Sequence, residues 1–377
     1  MAKQQGSMLL RDYLLSVEPT DGMPPELHPV LFGLYGEVGG VMATSKKYHR
    51  EKEDFVGFRN AVIDEFGDVL WYFAAIGRRL KIPMDAIFAT VAQRSDLEHT
   101  VLASDVADWP IATASRRAPT PELDPALLNL GADAAALLAL ATQGPTHATE
   151  LMRSFAGSYL TALQASGITF GEIAHHNSQK TRGRFLEPVL AALPAFDDSY
   201  EDEERIPQRF EILVTQRKSG KSYLQWNGVF LGDPLSDNIR DPDGYRFHDV
   251  FHLAHAVVLH WSPVFRALIK HKRKSNPAVD EAEDGGRAIV VEEGLTAWIF
   301  SQAKETGFFA GRSRIAFDVL KTIQRFVAGY EVEQCPLKLW ESAILQGYAA
   351  FLELREREGG VLVGDRVART LTYRSPS

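Results

Sequence analysis

Residues 55–76, FVGFRNAVIDEFGDVLWYFAAI, constrain this chain more than any other stretch. The apolar residues Phe58, Val62, Phe66, Val69, Phe73 and Ile76 recur at steps of three and four, the period of an amphipathic helix rather than the alternation of a strand. One face of that helix must therefore enter a core. Glu65 and Asp68 leave the helix side by side on the flank of this face. Two carboxylates held together repel, and a hard cation that takes oxygen ligands, Mg2+ or Mn2+, relieves the repulsion.

Residues 27–47 supply a partner, with Leu27, Val30, Leu34, Val38 and Val41 again at helical spacing. Glu37 opens a second stripe on this helix that runs through Gly40 and Thr44 to Lys47. The pair LYGEVGGVMATSKKY and DEFGDVLWY resembles the MazG-type all-α nucleoside triphosphate pyrophosphohydrolases. That resemblance implies an ExxE pair and an ExxD pair that together hold Mg2+ against a triphosphate. Glu37 matches the first acid, and Glu65 and Asp68 match ExxD. Gly40 stands where the second acid of ExxE belongs, and Gly40→Glu is expected to restore that ligand. Asp64 is the candidate general base. In residues 167–185, Asn177, Lys180, Arg182 and Arg184 resemble the basic helix that ends such bundles. With Lys47 they are the candidate groups for base, sugar or phosphate. The resemblance covers the first half of the chain and implies a homodimer or homotetramer.

At 377 residues the chain is long enough for two domains, and 45% hydrophobic with 24% charged residues is an ordinary globular balance. The net charge of -8 argues against a general electrostatic grip on nucleic acid. A single cysteine, Cys335, excludes an internal disulfide framework and fits a reducing compartment. No signal peptide is read at the N-terminus and no stretch reads as a bilayer span, so the expected location is cytoplasmic, without a membrane partner.

The expected fold is mainly α: a helical bundle over residues 1–190, then an α+β, mostly helical domain over 205–377. Residues 84–98, 126–143 and 146–166 read as helices, 107–125 as a proline-marked loop, and the acidic run 197–205 as a linker. Residues 210–215 and 222–231 read as strands. Residues 270–274, KHKRK, read as a solvated basic helix end, and residues 337–357 as a packing helix.

The second domain resembles no family from its residues. Its most informative piece is FHDVFHLAHAVVLH, where His248, His252 and His255 share one face of a helix. Hydrogen-bonded core histidines are one reading. A transition-metal site, with Glu292 or Glu293 from VVEEG as a further ligand, is the other. Three functions follow: Mg2+-dependent hydrolysis of a nucleoside or deoxynucleoside triphosphate to monophosphate and pyrophosphate, a nucleotide-sensing bundle that regulates the second domain, or a metal-dependent hydrolase centred on the histidines.

Overall fold

The computed structural model describes residues 10–94, 122–237 and 239–376. The chain divides into two compact units, Met1–Leu186 and Glu187–Ser377. It is mainly α-helical with one small antiparallel sheet, as the apolar periodicities predict.

Among the described residues the regular elements of the first unit are helices: α1 (Leu10–Val17), α2 (Leu27–Glu51), α3 (Phe58–Leu80), α4 (Met84–Arg94), α5 (Leu123–Leu138), the short α6 (Leu140–Gln143), α7 (Ala148–Ser166) and α8 (Phe170–Phe185). Residues 95–98 of the predicted third helix, and most of the predicted loop, lie outside the described residues. Val62, Phe66, Val69, Phe73 and Ile76 of α3 are buried as their spacing requires, and they meet Val30, Leu34, Val38 and Val41 of α2 in one core. Thr169 and Glu172 close a reciprocal capping box at the start of α8, so two orphan backbone N–H groups are satisfied where that helix enters the bundle. Contrary to the expectation that no stretch is apolar enough, Leu123–Gln143 could cross a membrane by length and composition, with a mean hydropathy of 1.4. Ala126, Leu127, Leu130, Ala134, Leu137 and Leu140 of this stretch nevertheless pack into the bundle core.

The second unit carries β1 (Arg209–Gln216), β2 (Ser222–Trp226), β3 (Val229–Leu235), β4 (Gly359–Asp365) and β5 (Thr370–Arg374). They form one antiparallel sheet in the order β3-β2-β1-β4-β5. The predicted single strand 222–231 is in fact a hairpin, because Asn227 and Gly228 take positive φ angles of 49° and 80° and turn the chain between β2 and β3. The helices of this unit are α9 (Asp249–Ala254), continued by a π-helical turn at His255–Leu259, then α10 (Pro263–Ile269), α11 (Pro277–Ala282), α12 (Gly286–Glu305), α13 (Phe317–Phe326) and α14 (Leu337–Arg357). Trp340, Ile344, Tyr348 and Phe351 of α14 are buried, so the tail packs as its spacing predicts.

Two charged stretches read differently in the fold than in the sequence. The run expected to be a solvated linker begins with Asp197, which is fully buried. Its carboxylate accepts from Arg266 at 2.6 Å, from Arg366 at 2.7 Å and from the Ile206 amide at 2.8 Å. In the cluster expected to be a solvated helix end, Arg273 is buried and paired with Asp284 and Glu331, each at 2.7 Å. Burial of so many charges is tolerable because each guanidinium meets carboxylate oxygens.

Candidate functional site

In the first unit, α2, α3 and α8 bring the acidic and basic motifs to one place. A Cβ added at Gly40 of α2 would overlap the Glu65 carboxylate of α3, so the missing side chain of one motif is the space taken by the acid of the other. Two residues beyond Glu65 on α3, a Cβ at Gly67 would come within 2.9 Å of the Asn177 side chain. This close approach of α3 and α8 lets Asn177 donate its amide to Asp68 Oδ1 at 3.1 Å. Asn177 is itself buried and accepts from the Tyr13 hydroxyl at 2.9 Å, which fixes the amide's orientation.

Lys180, one turn further along α8, puts its ammonium 2.6 Å from both Asp64 Oδ1 and Asp68 Oδ2. Burial alone would lower the Lys180 pKa, but Asp68 and Asp64 outweigh it and raise it, so the ammonium stays charged. The cation predicted to hold phosphate is therefore engaged with Asp68, predicted to hold metal, and with Asp64, the predicted base. His176 adds a ring nitrogen 3.5 Å from Asp64 Oδ1. Asp64, the candidate base, would have to exchange this ammonium for water before it could take a proton. Burial raises the Tyr13 pKa well above its usual value, and Asp68 pushes it the same way, so Tyr13 is a neutral donor. Glu37 is half-buried on α2.

Two of the predicted phosphate groups are engaged locally. Lys47 turns toward its own helix end, 3.7 Å from Glu51 and over the Phe55 ring at 4.0 Å. Arg184 is buried against the Phe185 ring, whereas Arg182 is exposed. Tyr13 and His176 were not read from the sequence. A lone tyrosine before the bundle carries no signal, while His176 lies one residue before Asn177 and could have been noticed.

Gly40→Glu therefore tests something other than a simple vacancy. The added chain must displace the Glu65 carboxylate, which can rotate away because it is the end of a flexible side chain. The expected result is weaker nucleotide binding by titration calorimetry and no gain in turnover, the opposite of the restoration that the sequence suggests. Higher turnover at lower Mg2+ would show that both carboxylates fit.

In the second unit the three histidines converge as predicted, on α9, its preceding residue and the π-helical turn. A π-turn often marks a functional site because it shifts side chains out of α-helical register. Glu292 of α12 is fully buried and lies 3.0 Å from Nδ1 of both His252 and His255 through Oε1. Its Oε2 accepts from the Ser262 hydroxyl at 3.0 Å and the Val264 amide at 2.9 Å. Burial would raise the Glu292 pKa, but His252 and His255 outweigh it and lower it to about 2. Conversely, burial would lower His252, yet Glu292 and Glu293 raise it to about 10. The cluster thus favours one positive charge among its acids.

Glu293 Oε2 lies 3.5 Å from His252 Nε2 and 3.8 Å from His248 Nε2. Asp249, the residue after His248, lies 3.9 Å from His248 Nε2. Two groups of metal-ligating type occur among the described residues of this unit: His248, Asp249 and His252, and His252, His255 and Glu292, each with ligand atoms within 4.8 Å of one another.

Residues 191–377 match the family model of the MazG C-terminal domain. A relation to MazG is thus supported, but through the half of the chain in which the sequence suggested no family, and not through the half in which the resemblance was read. No curated protein and no solved structure matches the chain.

Proposed function

With a MazG relation as the premise, we propose that the first unit binds a nucleoside or deoxynucleoside triphosphate and hydrolyses it to the monophosphate and pyrophosphate. The observation that carries this reading is the meeting of Gly40, Glu65, Asp68, Asn177 and Lys180 from three separate helices at one place. The donor set suits a hard cation. Glu37, Asp64, Glu65 and Asp68 offer only carboxylate oxygens, and Mg2+ commonly takes one or two carboxylates and completes its shell with water and substrate phosphates. Glu37, Glu65 and Asp68 would hold it, and when bound it would neutralise phosphate oxygens and acidify water.

The chain's own residues supply the rest. Lys180 moves from the acids to the phosphates, a charge-assisted contact that replaces two of the same kind. That move releases Asp64 to take the proton of the attacking water, whose oxygen forms the new P–O bond as pyrophosphate leaves with the bridging oxygen. Asn177, locked by Tyr13, keeps Asp68 oriented throughout.

A second reading is favoured by the same ammonium. With Lys180 between Asp64 and Asp68, and Gly40 in place of an acid, the bundle could bind nucleotide without turnover and act as a sensor. The test separates the two. Full-length protein is incubated with each common ribo- and deoxynucleoside triphosphate and Mg2+, and pyrophosphate and monophosphate are quantified. Equal release of both products supports hydrolysis. Saturable binding without release supports the sensor, and neither binding nor release overturns both.

A further inference from the structure

We infer that the second unit holds a divalent first-row transition metal at His248 Nε2, His252 Nε2, Asp249 and Glu293, with an open side toward solvent. Four observations converge on it. First, His252 is fully buried, and neither of its ring nitrogens makes a hydrogen bond. Its Nδ1 lies 3.0 Å from Glu292 Oε1 but off the line of a hydrogen bond. A buried imidazole with no hydrogen bond is costly unless something else takes its lone pair.

Second, His248 Nδ1 lies 2.9 Å from the Tyr245 carbonyl oxygen, which can only accept, so Nδ1 carries the proton. The lone pair is therefore on Nε2, the atom that faces Asp249 and Glu293. A backbone carbonyl or carboxylate behind the imidazole is the usual way of aiming a metal-binding histidine. The Tyr245 ring stacks on His248 with centroids 4.4 Å apart and planes 5° apart, which holds the imidazole plane.

Third, the donors are two imidazoles and two carboxylates, a set that suits Zn2+, Mn2+ or Fe2+ better than Mg2+ or Ca2+. Fourth, the group is graded in exposure: the side chains of His252, His248 and Asp249 are 1%, 12% and 13% exposed, and Glu293 is 41% exposed. An ion here would be anchored from inside and reachable from outside, the arrangement of a site that activates water rather than one that only braces a fold. By contrast, in the enclosed group of His252, His255 and Glu292 the carboxylate is already engaged. Glu292 takes His255, Ser262 and the Val264 amide, and so reads as the support that orients the histidines.

This site is independent of nucleotide hydrolysis in the first unit. It is tested on full-length protein stripped with chelator, dialysed and titrated with Zn2+, Mn2+ and Co2+ in turn. The expected result is one equivalent bound, with Co2+ giving visible ligand-field absorption. His248→Ala and Glu293→Gln, both at partly exposed positions, should fold as the parent does by circular dichroism. Both should lose affinity, His248→Ala by more than the ~10–100-fold that follows loss of a group that only orients a ligand. His255→Gln should keep the equivalent. No binding of any of the three ions overturns the inference. So does unchanged binding in His248→Ala and Glu293→Gln, and so does metal loss only in His255→Gln, which would place the ion in the enclosed group.

Discussion

Glu65→Gln is expected to abolish most pyrophosphate release while leaving the fold intact. The substitution preserves side-chain volume, so the end of residue 65 still fills the space over Gly40, and the α2–α3 core, which residue 65 only flanks, is unchanged. What disappears is a negative charge at the place where, in the proposed reaction, a cation and the developing phosphate charge would meet. Loss of one such preorganised electrostatic group costs about 10²–10³ in kcat. The measurement is kcat/KM for the preferred nucleotide at saturating Mg2+, with the thermal midpoint followed beside it. A drop in both would indicate damage to the bundle rather than to the chemistry. Unchanged turnover would remove Glu65 from the site.

Asp197→Ala should show the largest stability effect in the second unit. The carboxylate is fully buried, and its removal strands the guanidinium groups of Arg266 and Arg366 together with the Ile206 amide. Breaking a buried ion pair by deleting one partner costs about 3–5 kcal/mol, because the remaining charge stays desolvated. Amide exchange in β1 and α14 against denaturant reports this unit by itself, and a loss below about 1 kcal/mol would mean that water enters to replace the acid. Burial alone would raise the Asp197 pKa, but Arg366 and Arg266 outweigh it and lower it. A depressed folded pKa stabilises fully above the unfolded carboxylate value of about 3.9, and that contribution is lost as pH falls through the folded value. The stability difference between the parent and Asp197→Ala should therefore be constant near neutral pH and shrink in acid.

What could be read from the residues alone was whatever repeats along the chain. The apolar faces of α2, α3 and α14 were legible because a period near 3.6 is a local property that needs no knowledge of what lies opposite. The common face of His248, His252 and His255 was legible for the same reason. The β2–β3 hairpin carries a local signal, Asn227-Gly228, but the strand pattern on either side makes 222–231 read as one strand.

Tertiary structure alone decided which charges meet. Asp197 looked like the start of a solvated acidic run because its partners Arg266 and Arg366 stand 69 and 169 residues away. Lys180 lies 112 residues from Asp68, and the approach of α8 over Gly67 puts it against Asp64 and Asp68, contacts that its place in the sequence does not show. Glu292 and Glu293 are adjacent in sequence and similar in composition. One became the buried support of two histidines and the other the exposed edge of the cluster, because α12 presents them on different sides. A residue's period is set by its neighbours along the chain, whereas its electrostatic partner and its distance from water are set by chain closure, and at both candidate sites the chemistry depends on the latter.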